Sequence, residues 1–110
     1  MTVAELRTMI EGRDVFRAKA VFELAARASG DESAVAALAH VSRIDFVRDD
    51  RLFHLVSLAW AAIIGLLAAE TPSARRAAYE AFADLSATDQ GDLLRYLKAD
   101  SIESAHPASL

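Results

Sequence analysis

The sequence predicts an all-α fold, and three observations predict it. The run Leu52–Ala69, LFHLVSLAWAAIIGLLAA, holds no charged residue and is apolar almost all the way round. Helix-capping patterns recur on both sides of it, at Thr2, Asp14, Asp31, Thr71 and Ser86. Strand-length alternation is absent, and β-branched residues are sparse. The expected architecture is a compact bundle of five to six helices around a buried central helix. It spans residues 1–102 as one domain and leaves 103–110 as a flexible tail.

The central run approaches the length of a membrane span, which takes about 20 apolar residues. Its flanks point elsewhere. Asp49, Asp50 and Arg51 precede it, Glu70 follows it, and His54 and Ser57 lie inside it. A helix of this kind in a water-soluble chain has to be covered by its neighbours. Ser57, Ala61, Gly65 and Ala69 recur every four residues and form a ridge of small side chains on one face. That ridge suits close approach of another backbone, whether a neighbouring helix, a homodimer seam or a narrow ligand slot. Phe53, Val56, Trp60, Ile63, Ile64 and Leu67 supply the bulk of the core.

The flanking helices follow from their start and stop signals. Thr2 and Glu5 form a capping box, and Val3, Leu6 and Ile10 share a face that ends at Gly12. Asp14 caps a second helix, Val15 to Ser29, closed by Gly30. Its inward stripe is Val15, Ala18, Phe22, Ala25 and Ala26, widened by Val21, Leu24 and Ala28. Lys19, Glu23 and Arg27 occupy its solvent side, with Phe16 beside them. Asp31 caps a third helix, Glu32 to Ser42, which leaves His40 off the stripe. SRIDFVRDDR is read as a connector with one helical turn, its arginines neutralising its carboxylates. Asp49 or Asp50 then caps the central helix. Thr71-Pro72 restarts the chain as a helix to Leu85, with Ala74, Ala77, Ala78, Ala81, Phe82 and Leu85 inward and Arg75, Arg76, Glu80 and Asp84 in water. Ser86 begins the last helix, which runs to Ala99 on an inner stripe of Gln90, Leu93, Leu94 and Leu97.

With these helices placed, a family pattern emerges. Phe16-Arg17-Ala18-Lys19-Ala20, Glu23-Leu24, Gly30-Asp31 and Ala34-Val35-Ala36-Ala37-Leu38 together resemble a HEAT-type helical repeat. A second helix pair, Arg51–Ala69 and Pro72–Leu85, starts about 36 residues later, near the period of such repeats. This second pair lacks the Gly-Asp turn, and the last helix has no repeat partner. The resemblance implies stacked antiparallel helix pairs, and it implies binding of other proteins along a helical face.

Composition narrows the chemistry. The chain has no cysteine, which removes disulfides, thiolate metal sites and cysteine nucleophiles. Net charge is −4, lysine occurs only at Lys19 and Lys98, and asparagine is absent. No helix carries the clustered Arg, Lys, Asn or Gln of a nucleic-acid reader, so nucleic acid is not an expected partner. The excess of alanine and of arginine over lysine suggests a high-GC bacterial source. The opening MTVAELRTMI lacks the basic start and apolar run of a signal peptide, and a cytoplasmic protein is expected.

Catalytic patterns are missing. His40, His54 and His106 form no ligand pair at helical spacing, the glycines are isolated, and G-x-S-x-G does not occur. No metal, cofactor or catalytic residue is assigned. The favoured function is a non-catalytic protein-interaction module, or a small helical oligomer, working through exposed helix faces. Phe16, Phe46 and Val47 are its candidate contacts, and its partner is another protein or a second copy. The alternative is a small helical enzyme or ligand-binding protein, with an apolar ligand held beside the central helix by His54, Ser57, Trp60 and Tyr79.

Overall fold

A computed structural model of the chain describes residues 1–50 and 56–107. Among these residues the chain forms α1 (Val3–Glu11), α2 (Arg17–Arg27), α3 (Glu32–Val41), α4 (Asp45–Asp49), α5 (Leu58–Ala69), α6 (Pro72–Ala83) and α7 (Ala87–Leu97), followed by a 3-10 turn at Ile102–Ser104. There is no strand among them. The radius of gyration is 12.4 Å, close to the roughly 13 Å of a packed chain of this length. No described helix is long and apolar enough to cross a membrane.

The all-α bundle is the one the sequence predicts, and α5 is its centre. Leu58 to Ile64, Leu66 and Leu67 are all buried. α2, α3, α4 and α6 pack around α5, which is why it is apolar on every side. α2 and α3 pack as a pair, and α5 and α6 as another. α2 lies against α5, and α3 against both α5 and α6. α1 covers the α2–α3 end.

The central helix is shorter than Leu52–Ala69. It starts at Leu58, and Ser57 stands before it as N-cap, with Trp60 N–H donating to Ser57 Oγ at 3.2 Å. Residues 52–55 of the expected helix lie outside the described residues. Asp50 does not cap α5 with its carboxylate. Its carbonyl accepts from Leu58 N–H at 2.8 Å, and its carboxylate turns to Arg17 on α2. Ser57 is the better-placed cap because its oxygen is one residue from the first helical N–H groups.

Four other caps stand where the sequence puts them. Thr2 and Glu5 complete their capping box, and Asp31, Thr71 and Ser86 each accept a backbone N–H from the first turn of their helix. Asp14 does not cap α2. Its Oδ1 accepts from Phe16 N–H at 2.8 Å in a local turn, and the helix begins later, at Arg17.

α2 is also rotated relative to the expected face. Ala20, Val21, Leu24 and Ala28 are buried, whereas Val15, Phe22 and Ala26 are exposed. Two contacts fix this rotation. Arg17 forks onto Asp50 at the start of the helix, and Ala25 meets α5 at Gly65. A helix with two interleaved apolar stripes buries the one its pinned neighbours select.

The C-terminal segment is built into the fold further than expected. Ile102 and Ala105 are buried, and Arg75 Nη2 donates to the carbonyls of Glu103 and Ala105, both at 3.4 Å. Arg75 also donates through Nε to Tyr79 Oη at 3.1 Å. It is therefore a clamp on this segment and not a freely solvated cation. Gln90, expected inside, acts at the joint between α6 and α7, where its Nε2 donates to the carbonyls of Ala83 and Leu85.

Candidate interaction face

Among the described residues, four of the five large exposed apolar side chains lie near α1 and α2, and the fifth, Tyr96, is on α7. Val15 is 81% exposed, Met1 65%, Phe16 57% and Phe22 38%. Met1, Leu6, Met9 and Phe16 line an open groove of about 420 Å³ beside α2, with Lys19, Glu23 and Arg27 at its rim. Lys19 Nζ lies 5.8 Å from the centroid of the Phe16 ring. Arg27 donates to Glu23 Oε1 through both Nε and Nη2, at 3.1 and 3.0 Å. The face is thus apolar, bordered by both signs of charge.

Phe16 stands on this face as the N-cap residue of α2. Phe46 sits apart from the groove lining. It is half-buried on α4, and the Arg13 guanidinium lies 4.4 Å over its ring. Val47 is not a surface contact. It is fully buried, because a five-residue helix packed on α5 turns its middle side chain into the core. Val15 and Phe22, expected inward, are exposed instead, and both lie outside the groove lining. The stripe assigned to α2 was wider than one buried face, and that excess width was the available signal.

The small-residue ridge faces inside the molecule. Ala61 is buried, Gly65 and Ala69 are half-buried, and Ser57 is buried before the helix begins. A methyl group placed on Gly65 would lie 2.6 Å from Ala25 Cβ, so α2 crosses α5 at this point. At Gly65 the ridge thus receives a neighbouring helix of the same chain.

Of the residues considered for a ligand pocket, His54 lies outside the described residues. Ser57 is engaged as a helix cap. Trp60 is buried, its ring centroid 6.2 Å from that of Tyr96 on α7, and its Nε1 has no hydrogen-bond partner among the described residues. Tyr79 lines a separate shallow groove with Phe82, Gln90, Leu94 and Ile102, which does not include Ser57 or Trp60. Among the described residues, no three His, Asp or Glu side chains come together as a metal site.

Charged groups elsewhere brace helices. The Asp50 carboxylate holds the Arg17 guanidinium above its ordinary value. Among the described residues, Arg43 and Arg48 reach outside their own segment. Arg43 pairs with the Asp84 carboxylate, and Arg48 Nη2 donates to the Asp84 carbonyl at 3.1 Å. His40 Nε2 lies 3.3 Å from Glu11 Oε2 and 3.1 Å from Arg7 Nη2, linking α3 to α1. The Ser33 hydroxyl and backbone N–H hold Asp31 below its ordinary value, and Thr2 does the same for Glu5 through its backbone N–H and hydroxyl.

Comparisons with protein-family models, with curated proteins and with solved structures find no match to this chain.

Proposed function

We propose that this chain is a non-catalytic interaction module, docking a protein through the edge formed by α1 and α2. One observation carries the reading. Met1, Val15, Phe16 and Phe22 are large, apolar and exposed, and they fall just before α1, in the turn leading into α2, and on α2 itself. Clustered exposed apolar side chains of this kind mark association sites on otherwise well-packed domains. The helix arrangement supports the HEAT-type resemblance as well. The pairs α2–α3 and α5–α6 stack like onto like, with α1 covering one end. In such stacks an outer helical face is what a partner meets.

The test compares wild-type chain with Phe16→Asp and Phe22→Asp. Each is immobilised and exposed to an extract of the source cells, and self-association is measured alongside. The expected result is loss of the captured protein, or of self-association, in both variants at unchanged melting temperature. Equal capture and equal self-association in wild type and variants would remove the reading.

A second reading rests on Trp60, whose buried Nε1 donor has no partner among the described residues and would suit an acceptor atom on an apolar ligand. It predicts that Trp60 emission, the single tryptophan signal, shifts on titration with long-chain fatty acids. The interaction reading predicts no shift.

A further inference from the structure

We propose that the exposed face of α2 takes a second copy of this chain, α2 packing antiparallel on α2 about a two-fold axis. The proposal rests on reading the α1–α2 edge as an interaction face, and it names the occupant.

The outward side of α2 is one stripe of helical period. Lys19, Phe22 and Ala26 are exposed on α2 at successive steps of three and four residues, with Glu23 beside them, and Val15 and Phe16 are exposed in the turn that leads into the helix. A two-fold contact has to be complementary to itself, so that if residue i meets j, then j meets i. The charges on this stripe meet that condition about position 21, near the middle of the helix. Lys19 lies as far before Val21 as Glu23 lies after it. In an antiparallel pair each Lys19 therefore faces the Glu23 of the other copy, twice over. Phe16 and Ala26 are placed the same way, so each Phe16 ring meets a small methyl and not another large side chain. Phe22 lies one residue from the axis, and the two rings meet at the centre, where aromatic pairs contribute most to association.

Glu23 is prepared for a second cation. Arg27 takes only its Oε1, through two nitrogens. A parallel arrangement would set Lys19 against Lys19 and Glu23 against Glu23, which like-charge repulsion disfavours. The 11 residues of α2 extend about 16 Å, which limits the contact to the small end of specific interfaces, below about 1,200 Å² in total. Association is accordingly concentration-dependent.

The experiment is light scattering over a concentration series for wild type, Lys19→Glu, Glu23→Lys, and an equimolar mixture of the two variants. The wild-type mass should climb from 11.9 kDa toward twice that value. Each single variant should associate about tenfold more weakly or worse, because both of its charged contacts become like-charged. The mixture should regain the dimer, since every contact between unlike variants again joins opposite charges. Mixing does not rescue a misfolded chain, so recovery also excludes loss of fold as the cause. A wild type that stays at 11.9 kDa throughout overturns the proposal, as does a mixture no heavier than its components. If the wild type is monomeric but Phe22→Asp still abolishes capture from the extract, the dimer falls and the interaction face stands with an unlike partner. If Phe22→Asp changes neither, both fall.

Discussion

At the scale of single residues, the helix ends show how little slack the chain has. Glu70 and Lys98 close α5 and α7 in the left-handed region, at φ 56° and 55°, where a side chain is strained and glycine is not. Lys98→Gly should therefore raise stability by up to about 1 kcal/mol, read as a higher denaturation midpoint with unchanged slope. Gly65 is the opposite case. Its added methyl would meet Ala25 Cβ at 2.6 Å, and neither atom sits on a flexible side chain. Gly65→Ala should cost about 1–3 kcal/mol, and adding Ala25→Gly should recover part of it. Full additivity of the two losses in a double-mutant cycle would show that the atoms do not touch. The Ser57 cap gives a third check. Ser57→Ala should cost about 1 kcal/mol by leaving the Trp60 N–H without its acceptor.

At the scale of helices, burial sets an order of opening. α5 is sealed on all sides, while α7 buries only Leu93 and is anchored by Gln90 at its start. Native hydrogen exchange should be slowest in α5 and much faster in α7, which lacks the buried contacts that oppose local opening. Comparable protection in both would contradict this picture. The same contrast explains what was legible in the sequence. Caps were readable because a side chain at Thr2, Asp31, Thr71 or Ser86 acts on N–H groups two or three residues away. The excess width of the α2 stripe was readable, but which part of it is buried was not, because that depends on Asp50 and Gly65, which are distant in sequence. Arg75 was hidden for the same reason, since its acceptors are carbonyls on another segment and carbonyls have no letter in a sequence. Of the candidate contacts, Phe16 was placed by its neighbours on the wheel, whereas the burial of Val47 follows from α4 packing flat on α5.

At the scale of the whole molecule, acid stability draws on two carboxylates that take up protons less readily in the folded chain than in the unfolded one. Glu5 and Asp31 are held below their ordinary values of 4.5 and 3.8 by hydrogen bonds that need the ionised form. Their contribution is complete above those values and is lost as pH falls through the lower folded ones. Melting temperature should accordingly drop below about pH 4.5, and the Glu5→Gln, Asp31→Asn double variant should show a shallower fall over that window. An unchanged acid slope would mean that other carboxylates carry it. The crossing of α2 over α5 has a further consequence, for descent. Gly65 is already the smallest residue available, so a lineage that keeps this spacing between helix pairs enlarges position 65 at lower cost once position 25 has shrunk. The two sites form an ordered mutational path. Glycine at 25 should precede alanine at 65 in any diverged sequence that retains the stack.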